Sequence, residues 1–255
     1  MNKLSLIGIA ALALSAGWVA AQTAKIDPAS VQTGQNAFFN AVDAAHKAGV
    51  KKFVTASSAS IYGLADTFPT PEDHHPYNNR TWYGASKMML EGLLRSYNDM
   101  YGFPYVAHRY FNVYGPRMDI HGKYTEVLIR WMERIDAGKP PLIFGDGAQT
   151  MDFVYIDDVA RANVLALASD VSDEIFNVAS GVETSLNTLV DLLGQVCGRE
   201  PTVRREPPRH GEILRNYSLV EKAREHLGYE PAVQLEEGLR RTYEWFSSER
   251  AEALR

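Results

Sequence analysis

The pattern of hydrophobic and polar positions predicts alternating helices and strands between residues 31 and 112. Over 31–48 the apolar side chains recur at the spacing of a helix, which Gly49 ends. Residues 50–56 have the composition of a short strand and are followed by small residues. A second helix is predicted over 83–101, and a second strand begins at Tyr105. This alternation is typical of an α/β protein with a parallel sheet.

Beyond residue 116 the pattern is less regular, but it still predicts several elements. We expect a doubly wound parallel sheet in residues 25–116 and a smaller α/β domain in 117–255, with some segments of the second region returning to the sheet of the first. In such a fold, sites gather where the strands end at their carboxyl edge. Strands are expected at 142–144 and 153–155, and helices at 124–137, 157–167, 185–196, 220–227 and 235–248.

Residues 1–24 differ from the rest of the chain. Lys3 precedes an almost uncharged run over 4–21 that ends in small residues, as in a secretory signal peptide. The run is also long enough for a membrane span. A buried strand with its turn, or an aberrant start, are the alternatives. We expect a cytoplasmic protein, with export or membrane anchoring as the alternative if this segment is genuine.

Composition limits the remaining possibilities. Hydrophobic residues make up 45% and charged residues 22%, which is ordinary for a globular protein with a real core. The net charge is −5 and no basic block indicates a nucleic-acid partner. Cys197 is the single cysteine, so an intramolecular disulfide and a zinc site built on several thiolates are both excluded.

Tyr83 and Lys87 are the strongest chemical signal, because residues four apart at the start of a helix share one face. A free tyrosine has a pKa near 10 and is a poor base, but a neighbouring ammonium favours the phenolate and lowers that pKa. Such a tyrosine can accept a proton from an alcohol while hydride leaves the same carbon. Taken alone, this spacing is common, and a half-buried tyrosine beside a solvated lysine is the ordinary alternative.

The neighbouring segments favour the chemical interpretation. Ser58 follows the first predicted strand, and its hydroxyl group is suited to orienting a substrate hydroxyl beside the phenol. Downstream lie the segments RYFNVYGPR at 109–117, FGDG at 144–147 and DFVYIDDV at 152–159. Together these motifs resemble the extended short-chain dehydrogenase/reductases, and within them the UDP-galactose 4-epimerase-like group of NAD-dependent epimerases and dehydratases. The resemblance extends over residues 31–245.

The resemblance implies a partial Rossmann-like fold, NAD as cofactor, a nucleotide-sugar substrate and a homodimer formed through the helices at 31–48 and 83–101. Residues 25–116 would then be the catalytic domain and 117–255 mainly the substrate-binding region. Ser58, Tyr83 and Lys87 correspond to the catalytic residues, which also lie against cofactor, while Ser58 and Tyr83 contact substrate.

Six further positions obtain roles from the resemblance alone. Phe111 would lie beside the nicotinamide and Asn112 would hold the substrate. Leu142 and Phe144 bound the segment whose backbone contacts the nucleotide base. Arg209 and Glu212 belong to a turn in which an arginine binds the diphosphate, a role that bidentate guanidinium pairing suits. A solvated loop arginine is the equal alternative for Arg209.

The residues after Ser58 bear on the reaction. The family's dehydratases are expected to carry Asp-Glu there, whereas this chain has Ala59 and Ser60, which cannot exchange a proton at neutral pH. This favours epimerisation at C4 of a UDP-hexose, by hydride transfer to NAD, rotation of the 4-keto sugar and hydride return. A related NAD(P)-dependent dehydratase or reductase, and a non-catalytic sugar-nucleotide-binding domain, are the alternatives.

Two departures from the family pattern limit this interpretation. Residues 1–30 contain Gly8 and Gly17 but no glycine-rich cluster, so the sequence predicts that the N-terminal dinucleotide-binding part is lacking. Gly145 and Gly147 precede an apolar strand, not a helix, and do not form a phosphate-binding loop. Met151 stands where many relatives carry a second arginine for the diphosphate, which weakens the case for UDP-hexose in particular.

Overall fold

The computed structural model describes residues 28–120, 127–208 and 213–253. The predictions made for residues 1–24, Arg209 and Glu212 lie outside the described residues. In chain order the elements are α1 (Pro28–Lys47), β1 (Phe53–Ser58), a 3₁₀ helix (Ala59–Ile61), α2 (Trp82–Tyr101), β2 (Tyr105–Tyr110), β3 (Asn112–Tyr114), α3 (Val127–Asp136), β4 (Leu142–Phe144), β5 (Thr150–Met151), β6 (Phe153–Tyr155), α4 (Ile156–Ala168), β7 (Glu174–Val178), β8 (Thr184–Ser185), α5 (Leu186–Val196), β9 (Arg204–Glu206), β10 (Arg215–Asn216), α6 (Glu221–Leu227) and α7 (Leu235–Ala253).

The main sheet is parallel, with strand order β1, β2, β7. On one face, Tyr105 and Ala107 of β2 pack with Leu90 and Leu94 of α2 and Val42 of α1. The opposite face of β2 packs in a second cluster with residues of α4 and α6. Helices therefore cover both faces, as in a doubly wound sheet. The predicted α/β fold class is confirmed.

Three strands of this sheet differ from the sequence prediction. β1 ends at Ser58, not at residue 56, so Ser57 and Ser58 belong to the strand itself. β2 continues to Tyr110 and includes His108 and Arg109, whose polar character concealed their burial. β7 was not predicted. Its five residues are too few for the alternating pattern to stand out, although all but the first are buried.

A second apolar core lies under the C-terminal region. Residues of α3, α5 and α7 meet there, with Trp131, Leu193 and Phe246 among its buried members. The strands of this region are short and form separate two- and three-stranded sheets, in which β4 pairs with β9 and β10 pairs with β5. The helix predicted over 124–137 corresponds to α3, and residues 124–126 lie outside the described part. Among the described helices, none combines the length and the apolar character needed to cross a bilayer.

Candidate active site

The start of α2 is fixed by side-chain capping. The Thr81 hydroxyl oxygen accepts a hydrogen bond from the Gly84 amide at 3.0 Å. The side-chain oxygen of Asn79 in turn accepts from the Thr81 amide at 3.0 Å and from its hydroxyl at 3.1 Å. These bonds satisfy backbone donors that a helix leaves free at its first turn. The helix turn that carries Tyr83 and Lys87 therefore starts at a defined residue.

Gly84 permits close contact between this turn and the segment after β1. A β-carbon added at Gly84 would lie 2.5 Å from the backbone oxygen of Ser60 and 2.3 Å from the side-chain oxygen of Asn79. The absent side chain thus lets the helix approach the 3₁₀ helix that begins directly after Ser58. Glycine at this position therefore allows the segments that carry Ser58 and Tyr83 to pack closely.

Lys87 is the buried cation of the site. Lys87 is 3% exposed, and its ammonium group donates to the backbone oxygen of Ala56, in β1, at 2.8 Å. Burial lowers the pKa of Lys87 to about 8, which the charge of Glu91 partly opposes. The sequence alternative of a solvated lysine is therefore wrong. An amine that is held in this way needs little further perturbation to exchange a proton near neutral pH.

Tyr83 lies on the same face as Lys87. The Lys87 nitrogen is 5.5 Å from the centroid of the Tyr83 ring and the same distance from that of Phe38, on α1. Tyr83 is half-buried. A positive charge at this distance favours the phenolate over the phenol. The predicted one-face arrangement of the two residues is present.

Ser58 ends β1, two residues beyond the carbonyl group that binds Lys87. Its hydroxyl oxygen accepts from the Ser60 amide at 3.1 Å and donates to the Ser60 hydroxyl at 3.1 Å. These contacts cap the 3₁₀ helix and fix the Ser58 side chain at the carboxyl edge of the sheet. A hydroxyl group held in this way can orient a substrate oxygen.

The strand next to β1 brings two more predicted residues to this edge. Phe111 follows β2 directly, is 7% exposed and packs with its ring centroid 6.3 Å from that of Tyr62. Asn112 starts β3, and its amide nitrogen donates to the Asp152 backbone oxygen at 2.8 Å and to the Asn216 side-chain oxygen at 3.2 Å. Because β1 and β2 are parallel neighbours, Ser58 and Phe111 leave the sheet at the same edge.

Leu142 and Phe144 lie on β4, which belongs to a different sheet from β1 and β2. Both are half-buried, whereas Ile143 between them points into the second core. The Leu142 carbonyl accepts from the indole of Trp131 at 3.0 Å, and the Phe144 carbonyl accepts from the Gln149 amide at 2.7 Å. These bonds fix the backbone of the strand. Its role in binding the nucleotide base stays a prediction.

The sequence prediction omitted a buried charged network beneath the site. Glu91 lies one helical turn beyond Lys87 and is 7% exposed. Its carboxylate accepts two bonds from Arg109, at 3.0 and 2.8 Å, and one from the Ser57 hydroxyl at 2.5 Å. Arg109 also donates to the Tyr62 hydroxyl at 3.0 Å. The network joins α2 to both β1 and β2, and the four-residue spacing from Tyr83 through Lys87 to Glu91 was its sequence signal.

A dinucleotide would fit the site at one end. A nicotinamide and its ribose would lie against Lys87, Tyr83 and Phe111, which supply an ammonium, a phenol and an aromatic ring. For the diphosphate, the described residues include no glycine-rich turn between a strand and a helix; Gly145 and Gly147 lie between β4 and β5. The described residues therefore fit the nicotinamide and ribose half of the dinucleotide.

The model of the NAD dependent epimerase/dehydratase family matches residues 9–179. The chain belongs to this family. It is 40% identical over 205 residues to the UDP-glucose 4-epimerase of Mycolicibacterium smegmatis, a match that covers 80% of this chain and 65% of that protein. The chain spans about two thirds of the length of the curated relatives that it matches.

Solved structures agree with this assignment and with the fold. The UDP-glucose 4-epimerase of Thermotoga maritima, determined with UDP-glucose, has a TM-score of 0.85 and 36% identity, covering 93% of this chain and 75% of that one. The Thermus thermophilus UDP-glucose 4-epimerase, determined with NAD, has a TM-score of 0.78 and 32% identity, covering 90% of this chain and 73% of that one. The family resemblance drawn from the motifs is confirmed.

Proposed function

We propose that this chain carries the catalytic part of an NAD-dependent nucleotide-sugar epimerase that acts at C4 of a UDP-hexose. The observation that carries the proposal is the buried ammonium of Lys87 beside the half-buried Tyr83, at the carboxyl edge of a parallel sheet. Relatives named as UDP-glucose 4-epimerases support the substrate class.

In this mechanism Tyr83 takes the proton of the C4 hydroxyl and later returns it. Lys87 stabilises the phenolate through its charge, and its low exposure keeps that charge poorly screened. Ser58 orients the C4 oxygen towards Tyr83. NAD, when bound, supplies the hydride acceptor and donor. The protein's part is to hold one proton at the Tyr83 oxygen between the two half-reactions.

The remaining predicted residues complete the proposed site. Phe111 would bound the nicotinamide and Asn112 would bind the sugar. The β4 backbone at Leu142 and Phe144 would contact the base. Arg209 and Glu212 would bind the diphosphate. We keep residues 25–116 as the catalytic domain and 117–255 as the mainly substrate-binding region.

Epimerisation is favoured over dehydration by the residues after Ser58. Ala59 and Ser60 are both buried in the 3₁₀ helix, and neither carries an acid or base that could remove water from the sugar. The family name covers both reactions, and a dTDP-D-glucose 4,6-dehydratase is also among the relatives. A dehydratase is therefore the competing function, and a sugar-nucleotide-binding domain without catalysis is the third.

Proton NMR of the reaction in deuterated water separates these functions. The chain is incubated with added NAD and, separately, UDP-glucose, UDP-galactose and UDP-glucuronate. We expect the C4 epimer with no deuterium on the sugar ring, because hydride returns to the carbon it left. A 4-keto-6-deoxy product containing deuterium would overturn epimerisation in favour of dehydration. Binding of UDP-sugar without turnover would favour the third function.

We also propose a cytoplasmic homodimer formed through α1 and α2. Phe39, Met100 and Tyr101 are large apolar side chains on these helices that are 49%, 69% and 53% exposed. A contact between two copies of this pair would bury them. Sedimentation of the chain at micromolar concentration should give a dimer, and Met100→Glu should give a monomer. A wild-type monomer would contradict the proposal.

A further inference from the structure

Three side chains with metal-ligating atoms lie together in the loop between the 3₁₀ helix and α2. The ligand atoms of Asp66, His74 and His75 all lie within 4.8 Å of one another. Nε2 of His74 is 3.0 Å from one oxygen of Asp66, and Nε2 of His75 is 3.6 Å from the other. Two imidazoles thus point at a single carboxylate. None of these three residues has a role in the proposed epimerase mechanism.

The hydrogen bonds of His74 determine which of its nitrogens carries a proton. Nδ1 lies 2.8 Å from the backbone oxygen of His75, and because a carbonyl can only accept, Nδ1 is the donor. In neutral His74, Nε2 therefore has a lone pair, which accepts from the Asp66 amide at 3.3 Å. The same lone pair faces a carboxylate oxygen at 3.0 Å. Two acceptors at this distance require a cation between them, either a proton or a metal ion.

The second histidine favours the metal ion. The His75 ring lies against the His74 ring, with centroids 4.6 Å apart, and its Nε2 faces the same carboxylate. One divalent ion would interact with all three ligands and leave both rings neutral. Around tetrahedral zinc, neighbouring ligand atoms are about 3.3 Å apart, and the 3.0 Å between His74 Nε2 and one Asp66 oxygen is close to that value.

The loop that carries these residues is anchored to the main sheet. The backbone oxygen of Glu72 accepts from Arg109 at 2.8 Å, and the Glu72 carboxylate accepts from the Asn177 amide at 2.8 Å. The His74 side chain is 3% exposed and packs edge-on against Tyr62 at 5.7 Å. One ligand is therefore held in place, while Asp66 and His75, at 61% and 43% exposure, are open to ions from solvent.

The geometry points to a divalent transition-metal site formed by Asp66, His74 and His75, with zinc as the fitting ion. Two imidazoles and a carboxylate are ligands that suit zinc, and three protein ligands leave a fourth position for water. Since neutral imidazole is the ligand form, binding releases protons and weakens as the pH falls.

Calorimetric titration of the whole chain with zinc sulfate at pH 7.5 tests the site. We expect one equivalent to bind, and binding to weaken at least tenfold in Asp66→Asn and in His75→Gln. Both changed residues are exposed, so the variants should fold, which circular dichroism can verify. His226→Gln, which removes an exposed histidine on α6, is the matched control and should bind as wild type. Failure of the wild type to bind zinc, or wild-type affinity in both site variants, would overturn the proposal.

Nitrogen-15 NMR of labelled histidine provides an independent test. With zinc, Nε2 of His74 should show the shift of a metal-bound nitrogen, while Nδ1 keeps its proton. If His74 instead has both nitrogens protonated and its signals do not respond to zinc, the contact with Asp66 is an ion pair alone and the metal site is overturned.

Discussion

Helices α2 and α7 both carry networks of opposite charges, but the two networks lie in different surroundings. On α2, Glu91 pairs with Arg109 and each side chain is 8% exposed. On α7, Arg240 pairs with Glu237 and Glu244, and the three side chains are 51%, 37% and 60% exposed. Solvent and salt screen the second network, so it stabilises little. Removing one partner of the first leaves a buried charge without compensation.

The difference shows what the buried network does for the site. Glu91 lies one turn beyond Lys87 and is bonded to β1 through Ser57 and to β2 through Arg109. Any rotation of α2 would break these bonds and move Lys87 away from the Ala56 carbonyl. The two pairs made by Arg240 connect residues within α7 and do not bridge to another element. We conclude that the buried network fixes the orientation of the helix that carries Tyr83 and Lys87.

The largest effect is expected for Glu91→Ala. It leaves the Arg109 guanidinium buried without its carboxylate partner, which should lower the free energy of unfolding by about 3 to 5 kcal/mol. Glu237→Ala, the matched change in the exposed network, should leave stability unchanged within error. Denaturant unfolding of both variants checks this. Equal effects at the two positions would remove the distinction between the networks.

His108 tests the case of a buried ionisable group without a charged partner. It is fully buried, and neither ring nitrogen has a hydrogen-bond partner among the described residues. Burial lowers the pKa of His108 to about 4, with a smaller opposing contribution from the Ala162 backbone. The unfolded chain binds this proton near pH 6.5 and the folded chain only near pH 4, so acid favours unfolding in that window.

The wild-type unfolding free energy, measured relative to that of His108→Leu, should therefore fall by up to about 3 kcal/mol between pH 7 and pH 4. The comparison with the variant cancels the titration of all other groups. Urea unfolding of both proteins at several pH values provides the measurement. A difference that is independent of pH would mean that the His108 imidazole has the same pKa in the folded and the unfolded chain, so that burial does not act on it.

Two glycines of α2 allow a similar comparison between a packed and an open position on one helix. Gly84 lies in the first turn, against the segment after β1, whereas Gly92 lies in open space. Gly84→Ala would place a β-carbon 2.5 Å from the Ser60 backbone oxygen, which should destabilise by about 1 to 3 kcal/mol. Gly92 meets nothing within 4 Å, so Gly92→Ala should stabilise the helix by about 0.5 to 1 kcal/mol. Thermal unfolding of the pair reports both signs. If Gly92→Ala were destabilising as well, the loss in Gly84→Ala could not be assigned to the close contact with Ser60.

The smallest expected effect concerns the charge of Lys87. Its pKa, lowered by burial to about 8, is held up by the negative charge of Glu91. Glu91→Gln removes that charge while keeping hydrogen-bonding atoms, so the pKa of Lys87 should fall further. Carbon-13 NMR titration of labelled lysine measures it, with Glu237→Gln as the control. An unchanged titration would show that Glu91 does not act on Lys87.

Much of the fold could be predicted from sequence because α1 and α2 have clear helical periodicity and are followed by Gly49 and Gly102, with the β1 segment between them. β7 could not be predicted, since its five residues offer too short a pattern. The end of β2 was missed because Arg109 is a charged residue in a buried strand, and only its pairing with Glu91 explains that burial. Tertiary contacts, not local pattern, decide such positions.

For the site, the four-residue spacing placed Tyr83 and Lys87 together, and the structure agrees. The burial of Lys87 was not predictable, because it depends on α1 and on the Ala56 carbonyl, which come from distant parts of the chain. Glu91 continues the same helical face but was overlooked, since a helix glutamate is ordinarily exposed. The roles given to Arg209 and Glu212 stay predictions.

The most direct test of the account compares C4 epimerisation by Tyr83→Phe and Tyr97→Phe, two identical changes on α2. Tyr97 is buried and its hydroxyl donates to Asp43, on α1, at 3.3 Å. With NAD and UDP-sugar, Tyr83→Phe should lose about 10² to 10⁴ in rate because the proton acceptor is gone, while Tyr97→Phe keeps the wild-type rate. Wild-type turnover in Tyr83→Phe would contradict the central claim.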